Sequence, residues 1–319
     1  MIKIFSGPDS YTLARKVLDY LNQKWEGVNP PMEMGRLRVE QFSDGEILPR
    51  FEESVRDHDV FFIQSTHNST RILETMLVID AAKRAGCRSF TLVAPFQGYS
   101  RQDKTDHLRS SIGSKMLADV LERCGMSRII TIDLHASSIQ GFYNVPVIHL
   151  NGTKIFIDHI QSLGLENLTI VAPDQGAIKR ASDFCRALGN CGFAMINKRR
   201  VKPNEIHSME LMGDVVDRNV IIVDDLVDTG GTLKRAAELI IENGALSVRA
   251  LATHGVLSGP ALENIQDSPL TQMLVSDTIP RNVSSSPGNR LGIVSCYKPI
   301  AESIWSLIQK KSIHEINQL

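Results

Sequence analysis

The chain has 319 residues, 42% of them hydrophobic and 22% charged, enough to build one large domain or two of ordinary size around real cores. Its 35 basic and 36 acidic side chains nearly cancel, which removes the overall positive field that a nucleic-acid backbone needs and leaves only local basic patches for smaller anions. Cys87, Cys124, Cys185, Cys191 and Cys296 are odd in number and form no Cys-x-x-Cys pair, so they read as small hydrophobes in a reducing compartment rather than a disulfide framework or zinc ribbon.

In chain order, Met1-Ile2-Lys3-Ile4-Phe5 reads as a short strand that stops at Ser6-Gly7-Pro8. It lacks the apolar core of a signal peptide, and no apolar run reaches the roughly 18 residues of a membrane span. A cytoplasmic protein is expected. Apolar, β-branched runs at 60–64, 90–94, 129–133, 168–172, 220–224 and 248–253 read as buried strands. Helical spacing fills the gaps at 72–85, 112–124 and 233–243, each closed by a glycine: Gly86, Gly125 and Gly244. Strands alternating with helices imply an α/β protein with mainly parallel sheets.

The chain also repeats itself. Val93-Ala94-Pro95-Phe96-Gln97-Gly98 recurs as Val171-Ala172-Pro173-Asp174-Gln175-Gly176. In each half a later apolar strand ends in an acid, once at Asp133 and once at Asp224-Asp225. Two similar domains follow, 1–151 and 152–319, with the boundary near Asn151-Gly152. The polar, basic segment 197–214 interrupts the second and is expected to be a mobile loop rather than a core element. A last helix is expected over 300–313, packing back on the first domain.

The strongest motif runs from Val220 to Thr232. Apolar residues lead into Asp224-Asp225, then Leu226-Val227-Asp228-Thr229-Gly230-Gly231-Thr232, then a helix. The strand delivers this loop to the carboxyl edge of a sheet, where α/β proteins bind ligands. Gly230 and Gly231 let backbone N–H groups approach an anion, the helix adds its positive end, and Thr229 and Thr232 add hydroxyls. This is a phosphate cradle, with Asp224 and Asp225 placed to accept hydrogen bonds from two sugar hydroxyls. The plainer alternative is an ordinary strand-to-helix turn.

The loop resembles the phosphoribosyl pyrophosphate loop of type I phosphoribosyltransferases. Further motifs narrow the resemblance to the ribose-phosphate pyrophosphokinases. They are Phe5-Ser6-Gly7, Phe42-Ser43-Asp44-Gly45-Glu46, Glu52-Glu53-Ser54-Val55-Arg56, Gly98-Tyr99-Ser100-Arg101-Gln102-Asp103-Lys104, Asp133-Leu134-His135-Ala136, Asn197-Lys198-Arg199-Arg200, Thr253-His254 and Ser258-Gly259-Pro260-Ala261. The resemblance implies transfer of the diphosphoryl group of magnesium-ATP to the anomeric hydroxyl of ribose 5-phosphate. It also implies two phosphoribosyltransferase-like domains, ATP on the first and the sugar phosphate on the second.

By the same resemblance, Asp224, Asp225, Asp228, Thr229, Gly230, Gly231 and Thr232 bind ribose 5-phosphate. Lys198 and Arg200 stabilise the group in flight, and Arg101 and Gln102 contact ATP. Phe42, Asp44 and Glu46 form an adenine-binding hairpin contributed by a neighbouring subunit, which implies a homo-oligomer. His135 and Asp174 bind magnesium. On chemistry alone His135 reads as a base or phosphate ligand, because magnesium prefers oxygen. Without the resemblance, Lys198 and Arg200 read as part of a solvated basic loop, and Ser43-Asp44-Gly45 as a simple turn.

The sequence departs from the family in three places. Ala177 stands where the pyrophosphate loop usually has a second glycine, which removes an easy route to positive φ. Tyr297 and Lys298 are bulky for the small-residue loop that regulated members carry before the last helix. Leu108-Arg109-Ser110-Ser111-Ile112 lacks the usual small and proline residues. The last two departures count against allosteric control by phosphate or ADP. Other readings are a phosphoribosyltransferase that consumes the product, which needs no ATP site, and a non-catalytic regulatory subunit of the synthetase.

Overall fold

The computed structural model describes residues 2–25, 31–105, 107–189, 191–202, 205–281, 288 and 290–312, with the backbone alone at 199–202 and 205–208. The chain divides into two compact units: one runs to Asn151 and takes in Thr278–Pro280 and the segment from Cys296, the other holds Gly152–Asp277 and Arg281–Ser295.

The first unit contains β1 (Ile2–Ser6), α1 (Tyr11–Lys24), β2 (Leu37–Gln41), β3 (Ile47–Phe51), β4 (Asp59–Ile63), α2 (Ser69–Arg84), β5 (Ser89–Val93), α3 (Gly113–Cys124), β6 (Arg128–Ile132) and β7 (Val147–Leu150). Five strands form an all-parallel sheet in the order β1-β4-β5-β6-β7. β4, β5 and β6 are buried along all but their first residue, as expected of parallel strands covered on both faces. Phe5, Phe62, Phe90, Leu117 and Leu121 centre the core. β2 and β3 form a separate antiparallel hairpin.

The second unit contains α4 (Thr153–Ser162), β8 (Leu168–Ala172), α5 (Ile178–Leu188), β9 (Gly192–Lys202), β10 (Glu205–Met212), β11 (Asn219–Val227), α6 (Gly231–Glu242), β12 (Ser247–Gly255), α7 (Ala261–Gln266), β13 (Gln272–Ser276) and β14 (Leu291–Val294). Its sheet runs β10-β9-β8-β11-β12-β13-β14, parallel except where β10 pairs antiparallel with β9. Both units are therefore mainly parallel sheets flanked by helices, the class that the alternation of patterns implies.

Two local expectations are corrected. Segment 197–214 is largely strand rather than loop: most of it is the second half of β9 and all of β10, a hairpin on the sheet edge. Met195, Ile196 and Asn197 pair with Met212, Leu211 and Glu210, and Ile196 is fully buried, so apolar anchors at the base order a charged hairpin. Residues 203–204 lie outside the described residues.

Tyr297 and Lys298 do not belong to a loop before the last helix. They begin it, as α8 (Tyr297–Ile308), three residues earlier than the pattern suggests. Pro299 is tolerated because its missing N–H falls in the first turn, where no intrahelical partner exists. Ile313, the expected last residue of that helix, lies outside the described residues.

α8 belongs to the first unit and packs on α1. Trp25 and Trp305 meet edge to face at 5.3 Å, Tyr20 and Tyr297 at 5.9 Å. Glu302 accepts from the Tyr20 hydroxyl and pairs with Lys24 at 2.8 Å. Ile304 is fully buried. Ile304→Ala should destabilise the first unit by about 2–5 kcal/mol, read as a lower urea midpoint. An unchanged midpoint would mean that α8 adds nothing to this core.

Candidate active site

In the second unit, β11 carries the acid pair Asp224-Asp225, runs on to Val227 and then passes into the cradle. Gly230 takes φ +73, a left-handed conformation that glycine adopts without strain, and its carbonyl accepts the Lys234 N–H at 2.9 Å as α6 begins. A Cβ at Gly230 would lie 3.3 Å from the Ala261 carbonyl, so α7 also presses on the loop. Thr229 and Thr232 are exposed. Free amides at the start of α6 and two accessible hydroxyls give the loop its capacity for a phosphate.

The loop is bolted from outside. Asn264 on α7 donates to the Thr229 carbonyl at 2.8 Å. Ser258 donates to the Asp228 carboxylate through its hydroxyl and to the Asp228 carbonyl through its N–H, the latter at 3.0 Å. The sequence reading assigned no role to Asn264. No local pattern marks it, since the contact spans 35 residues.

Asp224 sits among acids. Burial, and then the adjacent Asp225 carboxylate and Asp174, push its pKa well above the ordinary carboxylate range, while Arg180 on α5 pulls it down. Asp225 is buried. Arg180 is a second residue without an assigned role in the sequence reading, although it falls one turn after the Asp174 turn.

Asp174 follows β8 and caps the next turn, its Oδ1 accepting the Ala177 N–H at 3.3 Å. Ala177 takes φ −88, open to any residue, so the alanine causes no backbone strain here. Lys198 on β9 reaches back to Asp174 Oδ2 at 3.2 Å, its side chain 7% exposed against 40% for the acid. The second unit thus brings Asp174, Lys198, Asp224 and Asp225 together. Arg200 is on β9, with its side chain outside the described residues.

In the first unit, Phe42, Asp44 and Glu46 form the tip of the β2–β3 hairpin. The Phe42 N–H donates to the Glu46 carbonyl at 2.8 Å, and the Asp44 Oδ1 accepts the Glu46 N–H at 3.0 Å. The tip holds its shape while Phe42 stays 48% exposed, a ring offered to a ligand or partner rather than to the core. Arg101 and Gln102 follow β5 in an exposed turn. His135 is exposed just beyond β6, after Asp133 takes φ +40, and the Leu134 N–H donates to His149 Nε2 at 2.9 Å.

A mainly parallel sheet whose carboxyl edge carries an acid pair, a glycine cradle and a helix start is the ligand edge of an α/β protein, and structural similarity to a phosphoribosylpyrophosphate synthetase makes its class phosphoribosyltransferase-like. Comparison with known proteins is more specific. Residues 2–125 match the N-terminal domain of ribose phosphate pyrophosphokinase, and residues 193–317 the phosphoribosyl synthetase-associated domain. The chain is 45% identical over 279 residues to a ribose-phosphate pyrophosphokinase of Porphyromonas gingivalis, covering 87% of this chain and 86% of that one. It is 40% identical over 315 residues to that of Vibrio parahaemolyticus, covering 98% of each. The crystal structure of phosphoribosylpyrophosphate synthetase from Mycobacterium smegmatis is similar at a TM-score of 0.87 and 32% identity, over 97% of this chain and 99% of that one. The chain belongs to the ribose-phosphate pyrophosphokinase family, a family of enzymes.

Asn264→Ala leaves the Thr229 carbonyl without its side-chain donor. It should weaken binding of ribose 5-phosphate by about three- to tenfold, the equivalent of one hydrogen bond, with little change in melting temperature. Unchanged binding by calorimetry would mean that the loop keeps its shape without α7.

Proposed function

We propose that the chain transfers the diphosphoryl group of magnesium-ATP to the anomeric hydroxyl of ribose 5-phosphate, giving 5-phosphoribosyl 1-pyrophosphate and AMP for nucleotide biosynthesis. The observation that carries this reading is the cradle at 224–232, built on the carboxyl edge of a parallel sheet in a chain of this family. The 5-phosphate takes the amides and hydroxyls of Thr229, Gly230, Gly231 and Thr232, with Asp228 beside them. Asp224 and Asp225 accept the ribose hydroxyls. ATP is assigned to the first unit, on Arg101 and Gln102, with adenine on Phe42, Asp44 and Glu46.

The transfer is mostly a matter of alignment and charge neutralisation. Lys198 supports this directly, because its ammonium is almost buried and its hydrogen-bond partner is a half-exposed carboxylate. A cation in that setting stabilises charge more strongly than one in water. Arg200, two residues on, is the second candidate, with a planar fork suited to phosphoryl oxygens.

Asp174 offers a partly exposed carboxylate, the oxygen donor that magnesium prefers, whereas the exposed ring of His135 is assigned to magnesium by the family resemblance alone. Among the described residues no three His, Cys, Asp or Glu side chains cluster as a cage. Magnesium in nucleotide sites takes one or two protein ligands and fills the rest with water and substrate phosphates. Held by Asp174, the ion would neutralise charge on the diphosphoryl group.

The exposed hairpin tip supports a homo-oligomer in which Phe42, Asp44 and Glu46 serve a neighbour's site. A cytoplasmic location accords with the five free cysteines, and no helix among the described residues is long and apolar enough to cross a membrane.

Lys198→Ala should lower kcat by about 100-fold or more while KM for ATP moves little, because its charge counts most in the transition state. An unchanged kcat would remove Lys198 from the chemistry. Mixing Phe42→Ala with Lys198→Ala protein under subunit exchange should recover activity absent from either alone. Failure to recover it would place the hairpin and the chemistry in one chain.

A further inference from the structure

The turn that carries Arg101 and Gln102 is fixed by contacts from several sides. The Gly98 N–H donates to Thr66 Oγ1 at 2.9 Å, and the Thr66 N–H donates to the Phe96 carbonyl at 3.0 Å. Tyr99 takes φ +58, which costs a residue with a Cβ some backbone strain and persists only where the surroundings enforce it. The Gln102 N–H donates to the Tyr99 carbonyl at 2.9 Å.

The start of α3 closes the arrangement. Ile112, the residue before the helix, supplies no side-chain cap. Instead the Gln102 carbonyl accepts the Ser114 N–H at 3.2 Å, while buried Gln97 donates from Nε2 to Ser114 Oγ at 3.2 Å. The Gln102 side chain folds back over Gly113, the first residue of α3. A Cβ at Gly113 would stand 2.5 Å from Gln102 Oε1 and 2.9 Å from the Tyr99 ring. Real Cβ atoms do not approach that closely, so the Gln102 side chain occupies this place only because position 113 has no side chain.

We infer that Gly113 is a positioning residue for the nucleotide: its bare Cα is the floor on which the Gln102 amide rests, and this contact sets where Gln102 meets ATP. The inference rests on the proposed ATP role of Gln102. Gly113 is the first residue of α3, where helix propensity places little demand on the side chain, so the close approach of Gln102 and Tyr99 is what sets the need for glycine.

The test uses full-length Gly113→Ala, Gln102→Ala and the double variant, with KM for ATP and for ribose 5-phosphate, kcat and melting temperature. Gly113→Ala should raise KM for ATP by about tenfold, a shift well outside the effect of a distant methyl group, and leave kcat and KM for ribose 5-phosphate nearly unchanged. Melting temperature should hold or rise, which a merely structural glycine would not allow. In the Gln102→Ala background the added methyl should cost nothing further, since the group it displaces is gone.

An unchanged KM for ATP in Gly113→Ala, with Gln102→Ala impaired, overturns the inference alone. An unimpaired Gln102→Ala overturns the ATP role of Gln102 and the inference with it. If Gly113→Ala folds poorly, the double variant must regain the melting temperature of Gln102→Ala. Failure to do so places the clash on Tyr99 and also overturns the inference.

Discussion

The second unit is organised around negative charge that folding alone would avoid. Asp224 stands beside Asp225 at the end of β11 and is near Asp174 from the end of β8, and burial raises its pKa far above that of a free carboxylate. Gathering acids in this way works against the compact state unless cations share the site. Lys198 from β9 and Arg180 from α5 provide them, the first by direct contact and the second through its field. The same arrangement suits a ligand that brings hydroxyl donors and a metal ion. Under the proposed function, sugar hydroxyls and a magnesium ion at this site would turn that burden into an interaction energy, which links the electrostatics of the fold to the proposed chemistry.

Neighbouring parallel strands put these groups within reach of one another. β9, β8 and β11 lie side by side, so Asp174, Lys198 and the acid pair come from three strand ends or bodies in one sheet. The cradle then depends on elements further along the chain, since Ser258 and Asn264 hold Asp228 and Thr229. The first unit shows the same economy. One turn after β5 is locked by Thr66, Gln97 and the start of α3, and leaves Arg101 and Gln102 exposed. In each unit a rigid, buried strand ends in a loop whose shape is set by distant hydrogen bonds.

Much of this was legible in the residues. The run 168–172 is β8 itself, and β4, β5 and β6 lie within one residue of their patterns, because a strand buried on both faces must be continuously apolar. β11 and β12 extend past their predicted ends, since pairing continues through Asp224 with Ala252, Leu226 with His254 and Val227 with Gly255, although polar residues usually signal a strand's end. The β9–β10 hairpin was hidden by Lys198-Arg199-Arg200, whose charge masks any alternation, while its pairing is settled by a partner strand. Asn264, Arg180 and Gly113 left no local mark because each acts on a side chain or carbonyl elsewhere in the chain. At Ala177 the departure from the motif removes a route to positive φ that the observed φ of −88 does not use.

The central claim is the reaction itself, and product analysis tests it most directly. Purified protein would be incubated with magnesium, ribose 5-phosphate and ATP, and the nucleotide and sugar products separated and quantified. The account predicts AMP and 5-phosphoribosyl 1-pyrophosphate in equal amounts, formed only when the sugar phosphate is present. ATP left intact while both substrates still bind would contradict it and identify the chain as a binding, non-catalytic member of its family.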